Sequence, residues 1–372
     1  MEFTVNRSDL VRELSLSQGV VEKKTTIPIL SNVLIEASGD RIQLTATDLE
    51  LGIRCSCPAE VKTAGAGTLP AKRLLDYARL LPEAPIHFKF TEKSWANLTC
   101  GRARTRIAGM SRETFPEIAA RPDTLAEIPS RVLARLINRT AFAVSVEESR
   151  FALNGAQLAL AEDRVTMVAT DGHRLALCEE SGEFGAAAGH KALVPKKAMM
   201  ELLKLLHEAD PEAKVEFSAD ENNLFFGAGS RLLVARKLTG NFPDYERVLP
   251  AEHPNRVTLN RDEFRAAVER VAQFADERSH AIRIGFAPGE VKLHASLSDT
   301  GSTEETLPAV YDGPEVQVGF NAQYIMEFLR AVGEDEEVIF LFRDSSSAGE
   351  LRPADGSADG LSYRYIVMPM RI

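Results

Sequence analysis

Apolar residues recur with helical spacing at three places, each about one third of the chain from the next. At the first place Leu10 and Leu14 share one face of a predicted helix, and the side chain of Asn6 is suited to cap its first turn. Equivalent patterns follow Pro129 and Asn260. Self-similarity at a fixed interval indicates one structural unit that is repeated three times.

A second predicted helix occupies the same position in each repeat and begins at Pro70, Pro195 and Asn321. When these starts are aligned, the apolar positions coincide and form one stripe along the helix. The aligned sets are Leu74, Met199 and Ile325; Leu75, Met200 and Met326; Ala78, Leu203 and Leu329; and Leu81, Leu206 and Val332. We expect all of these side chains to be buried.

Between and after the helices the pattern changes to the period of two that is typical of strands. The predicted strands are Arg41–Thr47, Arg164–Thr170 and Glu290–Ala295 between the helices, and Ile86–Phe90, Lys214–Phe217 and Glu337–Phe342 after them. The chain is thus predicted to be an α+β protein of three similar domains, at residues 1–126, 127–254 and 255–372.

The charge is unevenly distributed along the chain. Its 54 acidic and 44 basic residues give a net charge of −10, which by itself argues against a nucleic-acid binder. Many basic residues nevertheless lie on the predicted helices: Arg7, Arg12, Lys72, Arg73, Arg79, Arg131, Arg135, Arg139, Lys196, Lys197, Lys204, Arg261, Arg265, Arg270 and Arg330. Two interpretations stay open: solvated helix faces with long side chains, or a basic surface suited to phosphates.

Composition and cysteine spacing narrow the class of protein. Cys55 and Cys57 are followed by no second ligand pair at zinc spacing, so all four cysteines are interpreted as reduced structural thiols. The N-terminus lacks the features of a signal peptide, and no apolar run is long enough to cross a membrane. We therefore expect a cytoplasmic protein with no membrane partner, and nothing in the sequence points to a cofactor.

Several motifs, in order along the whole chain, resemble those of one protein family. They are Phe3-Thr4-Val5 with Ile27-Pro28-Ile29-Leu30, Leu153-Asn154-Gly155, Val168-Ala169-Thr170-Asp171-Gly172-His173-Arg174-Leu175, Phe242-Pro243-Asp244-Tyr245 with Arg247-Val248-Leu249-Pro250, and Val367-Met368-Pro369-Met370-Arg371-Ile372. In these motifs the chain resembles the β subunit of bacterial DNA polymerase III, the sliding clamp family.

The resemblance implies a DNA-clamp fold and a non-catalytic role in replication. The implied assembly is a head-to-tail homodimer, a six-domain ring with helices lining the hole and strands outside. The implied partners are double-stranded DNA bound without sequence preference, the catalytic subunit of DNA polymerase III, the clamp loader and other clamp-motif proteins of replication and repair. Sliding requires phosphate attraction without base readout, which agrees with basic helices.

The resemblance also implies a hydrophobic groove that binds short peptide motifs. Matching positions are Leu153, Thr170, Gly172, His173, Arg174, Leu175, Pro243, Arg247, Val248, Ile366 and Met368. Aliphatic and Met side chains suit a Leu or Phe anchor, and polar residues at the rim can orient a peptide backbone. Read without the resemblance, the same residues are ordinary core positions.

Two further sets of positions are carried over from the family. DNA contacts are implied at Lys24, Lys72, Glu147, Phe151 and Ala152, although Glu147 would repel phosphate unless Arg150 compensates, and Ala152 replaces a bulkier aromatic residue. The dimer interface is implied at Arg73, Arg102, Arg104, Thr105 and Ile107 of one subunit, and at Gln273, Phe274, Glu304 and Glu305 of the other. Basic residues would then face acidic ones.

Two alternatives from other functional classes are kept. The first is a scaffold that docks peptide motifs without encircling DNA. The second is an enzyme in which Asp171 and His173 serve as an acid–base pair or as metal ligands. No nucleophile motif or ligand cluster accompanies these two residues in the sequence.

Overall fold

The computed structural model describes residues 1–21, 26–91, 94–147, 149–185, 189–250, 252–297, 301–333, 336–354 and 360–371. The chain forms two compact units. The first comprises Met1–Ala134 and Lys197–Lys237, and the second comprises Arg135–Lys196 and Leu238–Ile372.

The helices of the described residues begin where the apolar periodicity predicts them. They are α1 (Arg7–Gln18), α2 (Ala71–Leu80), α3 (Ser130–Thr140), α4 (Lys196–His207), α5 (Arg261–Val271) and α6 (Ala322–Ala331). The pairs α1 and α2, α3 and α4, and α5 and α6 therefore follow the threefold repeat of the sequence.

The helix caps differ among the repeats. The side chain of Asn260 accepts a hydrogen bond from the Glu263 amide at 3.0 Å, which satisfies a first-turn N–H of α5. The prediction of a similar cap by Asn6 is wrong, because its side chain makes no capping bond. Glu83 takes its place: a carboxylate oxygen accepts from the Ser8 amide at 3.1 Å.

The strands occupy the segments between and after the helices. They are β1 (Glu2–Asn6), β2 (Asn32–Ser38), β3 (Arg41–Thr47), β4 (Leu51–Thr63), β5 (Gly65–Pro70), β6 (Pro85–Phe90), β7 (Trp95–Cys100), β8 (Ala103–Ala108), β9 (Ala126–Pro129), β10 (Gly155–Ala161), β11 (Arg164–Thr170), β12 (Arg174–Ser181), β13 (His190–Pro195), β14 (Lys214–Ala219), β15 (Asn223–Ala228), β16 (Arg231–Arg236), β17 (Asn255–Asn260), β18 (Ala281–Ala287), β19 (Glu290–Leu297), β20 (Gly301–Pro308), β21 (Val316–Asn321), β22 (Glu337–Phe342), β23 (Gly349–Pro353) and β24 (Leu361–Val367). The six predicted strands correspond to β3, β6, β11, β14, β19 and β22.

Antiparallel pairing extends across the repeats. In the first unit the sheet runs β8-β7-β6-β1-β4-β16-β15-β14-β9, and a branch from β4 continues through β3 and β2 to β5. In the second unit one sheet runs β13-β10-β11-β12-β24-β23-β22-β17 and another β20-β19-β18-β21. Strand β4 pairs with β16, and β12 pairs with β24, so strands far apart in sequence form continuous sheets.

The aligned apolar stripe of the second helices is buried with one exception. Met200 is 44% exposed, so its predicted burial is wrong. Helix α4 instead buries Glu201, which lies so close to Gly19 that a Cβ there would meet a carboxylate oxygen at 1.8 Å. Lys204 donates to both oxygens of Glu201 at 2.7 Å, which compensates for the buried charge.

A second buried carboxylate joins α1 to β16 within the first unit. Glu13 is buried and receives two bonds from Arg231, at 2.9 Å from Nε and 2.7 Å from an Nη atom. Arg12 adds a third bond at 2.9 Å. Burial alone would raise the pKa of Glu13, but the bonds from Arg231 and Arg12 lower it below its usual value.

The four cysteines are buried and free, in agreement with the interpretation as reduced thiols. Burial raises the pKa of Cys57 and of Cys178 to about 12, so both are protonated at neutral pH. Among the described helices, none has the length and apolar character that a membrane crossing requires.

Candidate functional site

A cavity of about 160 Å³ opens in the second unit beside the joint between β12 and β24. We call it the groove. Its lining residues are Leu153, Thr170, Gly172, Arg174, Leu175, Pro243, Tyr245, Val248, Ile366 and Met368. They come from four places in the chain: a short turn before β10, the β11–β12 connection, the segment after β16, and the end of β24.

The floor of the groove is a pair of neighbouring strands. Leu175 on β12 lies opposite Ile366 on β24, and both side chains are buried in a cluster with Val168. Val248 and Met368 flank this floor and are each 42% exposed. The groove thus combines a rigid apolar base with apolar walls that solvent, or a ligand, can reach.

The connection between β11 and β12 is held by its own side chains. The Asp171 carboxylate accepts from the amides of His173 at 2.9 Å and Arg174 at 3.1 Å. The Thr170 hydroxyl accepts from the Gly172 amide at 3.1 Å and donates to the Arg174 carbonyl at 2.6 Å. Gly172 has φ +90°, which other residues rarely adopt.

The guanidinium of Arg174 is buried at one side of the groove and fully engaged. Its Nε donates to Asp171 at 3.0 Å, one Nη forms an ion pair with Glu327, and the other donates to the Phe142 carbonyl at 2.8 Å. The cation also lies 4.3 Å from the centre of the Tyr324 ring. These contacts fix Arg174 as a structural wall of the groove.

Two predicted groove residues lie outside the cavity. His173 is exposed and lines an adjacent cavity of about 310 Å³, while its carbonyl accepts from the Met368 amide at 2.9 Å. Arg247 is 84% exposed and pairs with Asp244 at 2.7 Å. The local ion pair three residues apart directs its side chain toward solvent.

One lining residue, Tyr245, was not predicted. It packs edge-on against Phe242 with ring centres 6.4 Å apart, and both rings lie against the buried cluster under the groove. Burial raises the pKa of its hydroxyl. Its position in the sequence could have predicted it, because Tyr245 lies between Pro243 and Val248, which are both predicted groove residues.

The predicted DNA contacts belong to both units, with Lys72 in the first and Glu147, Phe151 and Ala152 in the second. Lys24 lies outside the described residues. Lys72 pairs with Asp76 one helical turn away. Glu147 pairs with Arg150 at 2.8 Å, so the negative charge of that position is compensated within the chain. Phe151 is 69% exposed and, with Ala152, lines a cavity of about 420 Å³ next to the groove.

The basic residues of the helices are largely paired. Within the described residues, an acidic oxygen lies within 4.0 Å of each of the following side chains: Arg7, Arg12, Lys72, Arg131, Arg135, Lys197, Lys204, Arg261, Arg265 and Arg270. The expected basic surface is therefore weaker than the residue types suggest, because much of its charge is neutralised in place.

The predicted dimer residues of the first unit centre on β8, which ends its sheet. Arg102 and Arg104 are exposed, Thr105 is half-buried and Ile107 is buried. Arg73 is exposed on α2. This terminal strand therefore presents backbone hydrogen-bonding groups together with positive charge.

The predicted dimer residues of the second unit lie at β20, which ends the four-stranded sheet, and at the end of α5. Glu304, Gln273 and Phe274 are exposed. Glu305 is bound within its own chain by Arg270, whose Nε lies 3.0 Å from the carboxylate. The bond from Arg270 lowers the pKa of Glu305.

The acid–base alternative gains no support from the geometry. The Asp171 carboxylate holds the backbone turn and Arg174, so its oxygens are occupied by structural bonds. In the described part of the chain, no cluster of three or more His, Cys, Asp or Glu side chains is arranged to hold a metal ion.

Comparison with known families covers nearly the whole chain. Models of the DNA polymerase III beta subunit match residues 1–119 with its N-terminal domain, 127–244 with its central domain and 246–371 with its C-terminal domain. The beta sliding clamp of Pseudomonas putida is 35% identical over 378 residues, which cover 100% of both chains.

Solved structures show the same similarity. The sliding clamp of Pseudomonas aeruginosa, DNA polymerase III subunit beta bound to griselimycin, is 33% identical with a TM-score of 0.94. The DNA polymerase sliding clamp of Caulobacter crescentus is 31% identical with a TM-score of 0.90. Each alignment covers 100% of this chain and 100% of the other.

Proposed function

Because the chain belongs to the family of the DNA polymerase III β subunit, we propose that its groove is the docking site for peptide motifs of the replicative polymerase. The chain is a DNA sliding clamp, a non-catalytic processivity factor that works with DNA and a DNA polymerase as a homodimeric ring. The clamp loader and other clamp-motif proteins of replication and repair are proposed to use the same groove.

The observation that carries this proposal is an apolar slot with accessible walls and a preformed frame. Leu175 and Ile366 supply a floor that is already packed, so a peptide anchor gains contact without reorganising the protein. The exposed parts of Val248 and Met368 offer the area that an anchor would cover. A Leu or Phe side chain suits such a slot, and the residues around it would set its orientation.

A charge placed in the groove tests this assignment. Val248→Glu should abolish binding of a fluorescent peptide that carries the Leu or Phe anchor, because docking would bury an unpaired carboxylate. Val310→Glu is the matched control, since Val310 is 73% exposed in the same unit and does not line the groove. Equal binding by both variants, measured by fluorescence polarisation, would place the docking site elsewhere.

We further propose that β8 of one subunit pairs with β20 of the next. Both strands end their sheets, and the exposed charges on them are opposite in sign, Arg104 on β8 and Glu304 on β20. Pairing would satisfy both backbone edges, and two equivalent head-to-tail contacts would close a ring.

Charge exchange tests this interface. Arg104→Glu alone should lower the native mass toward that of one chain of 40.8 kDa, because like charges would then face each other at both contacts. Adding Glu304→Arg in the same chain should restore the dimer. A single variant that sediments as an intact dimer would contradict the proposed pairing of these strands.

We propose that the protein stays on DNA because the closed ring encircles the duplex. Direct contacts would then be few and independent of base sequence, and would include Lys72 and Phe151. Loaded with a clamp loader and ATP, the protein should stay on closed circular duplex and slide off when the circle is cut. Equal retention on linear and circular DNA would favour ordinary binding. The extensive pairing of helix charges supports weak direct contacts.

We also propose domain boundaries after residues 126 and 254 and a cytoplasmic location. Strand β17 begins at Asn255, directly after the second boundary, and β9 begins at Ala126, one residue before the first. Each strand leads directly into a helix, which supports a new repeat starting near each boundary. A role on replicating bacterial DNA supports the location.

A further inference from the structure

A polar cavity of about 460 Å³ lies in the first unit and shares no lining residue with the groove. One wall is the face of strands β2, β3 and β4, with Leu34, Thr45 and Arg54. The opposite wall is the segment from Arg112 to Ile118. Ile118 lies directly on Gly52, where a Cβ would meet its Cδ1 at 2.8 Å, so this segment is closely seated on the sheet.

Arg54 is a charged residue of this cavity that lacks an acceptor within the described residues. Its Nε is buried and has no hydrogen-bond partner among the described residues. No ion pair of Arg54 is found there either, whereas most other arginines described above have one. The Arg54 side chain is half-buried, and its buried Nε donor lacks an acceptor, which is unfavourable, so an anion that reached it would be bound through charge-assisted hydrogen bonds.

Thr45 provides a second polar group beside Arg54 on the same wall of the cavity. It lies opposite Arg54 in the register of β3 and β4, so the two side chains project from the same face of the sheet. Thr45 is only 4% exposed, and its hydroxyl has no hydrogen-bond partner in the described part of the chain. The Thr45 hydroxyl and Arg54 are therefore two unpartnered donors on the same wall of the cavity.

The remaining lining determines which anions fit. Leu34, Phe115 and Ile118 supply an apolar side. Glu36 pairs with Arg112 at 3.1 Å, which leaves Glu113 and Glu117 as further negative charges of the lining. With two arginines against three glutamates the cavity disfavours multiply charged anions such as free phosphate or a nucleic-acid strand, but it accepts one negative charge at Arg54.

We propose that this cavity binds a carboxylate carried on a short apolar stem. The planar carboxylate pairs with the guanidinium of Arg54 and accepts a hydrogen bond from Thr45, while the stem contacts Leu34 and Phe115. A free carboxylic acid and the acidic side chain of a partner protein share this chemistry. The site is separate from the groove and does not depend on the proposed peptide docking.

The test uses the full-length protein and ¹⁹F NMR of 4-fluorophenylacetate, with 4-fluorophenylacetamide as a ligand that lacks the charge. The acid should bind with a Kd in the millimolar range, and the amide at least about tenfold more weakly. Arg54→Gln should weaken binding of the acid at least about tenfold, Arg54→Lys less, and Thr45→Val about threefold. Arg41→Gln is the matched control on the same hairpin and should leave binding unchanged.

The ligand pair keeps the test decisive even if an Arg54 variant folds poorly. Equal binding of the acid and the amide, no binding of the acid, or displacement of the acid by an equal concentration of inorganic phosphate would each overturn the proposal. A capped peptide whose only carboxylate is a Glu beside 4-fluorophenylalanine distinguishes a free carboxylic acid from the acidic side chain of a partner protein. Tighter binding by this peptide than by the free acid would support a protein partner, and the reverse a small metabolite.

Discussion

Removal of residues 368–372 should weaken peptide binding at least about tenfold while the dimer survives. Met368 forms one wall of the groove, and its amide donates to the His173 carbonyl at 2.9 Å. Ile372 lies outside the described residues. The deletion therefore removes an apolar wall and also one bond that holds the β11–β12 connection.

The magnitude follows from these two losses. Full burial of a Met side chain contributes about 1.5–3 kcal/mol. Because Met368 is 42% exposed, covering its remaining surface contributes about 0.6–1.3 kcal/mol. Loss of the bond to His173 costs about 0.5–1.5 kcal/mol, part of which appears as a looser groove. A total near 1.4 kcal/mol corresponds to a factor of about ten in Kd.

Fluorescence polarisation with a short anchor peptide is the suitable assay. Binding to the intact protein should be micromolar, about −8 kcal/mol, since a short peptide covers little area and loses conformational freedom on docking. Met368→Ala separates the side-chain loss from the backbone loss, and Val310→Ala is an exposed apolar control in the same unit.

Stability must be followed beside affinity. The deletion also removes the bond from the Met370 amide to the Gly319 carbonyl at 2.8 Å, so a modest decrease in melting temperature is expected. Sedimentation should still show the dimer. Unchanged peptide affinity in a folded, dimeric, truncated protein would refute the assignment of this segment to the groove.

Two further predictions concern buried charges. Arg231→Met should lower the free energy of unfolding by about 3–5 kcal/mol in urea denaturation, because it leaves the buried Glu13 with Arg12 alone. Adding Glu13→Leu in the same chain should recover most of that loss. An Arg231→Met variant as stable as the parent would show that the Glu13–Arg231 pair is not needed for stability. Glu350 is buried among Arg364, Arg352 and His253, and although burial opposes its charge, the arginine bonds lower its pKa from 4.5 to about 2. A carboxylate with a lowered pKa stabilises the fold above pH 4.5 and loses this contribution of about 3 kcal/mol as the pH falls toward 2. The difference in unfolding free energy between the parent and Glu350→Gln should therefore close over that pH range. A difference that does not change with pH would contradict the lowered pKa of Glu350.

Local periodicity was sufficient to predict the helices and many of the strands. The apolar stripe through Leu74, Met199 and Ile325 is periodic within a few turns and coincides with the buried face of the second helices. Alternating residue types predicted β3 and β11 as strands, but both faces of β11 are buried from Val165 to Thr170. Local patterns therefore identify an element and its most apolar face. They do not report which distant element covers it, and the pairing of β4 with β16 therefore had no local signal.

The groove was predictable in outline because its residues lie in family motifs. The exceptions arise from side-chain direction, which a motif does not specify. Arg247 turns toward Asp244, while Tyr245 turns inward against Phe242. The same limit applies to the basic helices: residue types predicted a positive surface, but the acidic partners of Arg131 and Lys197, Glu212 and Asp48, come from other elements.

The continuous sheets have a consequence for any attempt to dissect this protein into fragments. A fragment cut at residues 126 and 254 would contain β16 without β4 and β12 without β24. Each of these strands would then expose an unpaired row of N–H and C=O groups that in the whole chain is internal to a sheet. Separately produced repeats should therefore associate or aggregate through these unpaired strand edges. The three similar sequences in one chain are thus not three domains that fold independently.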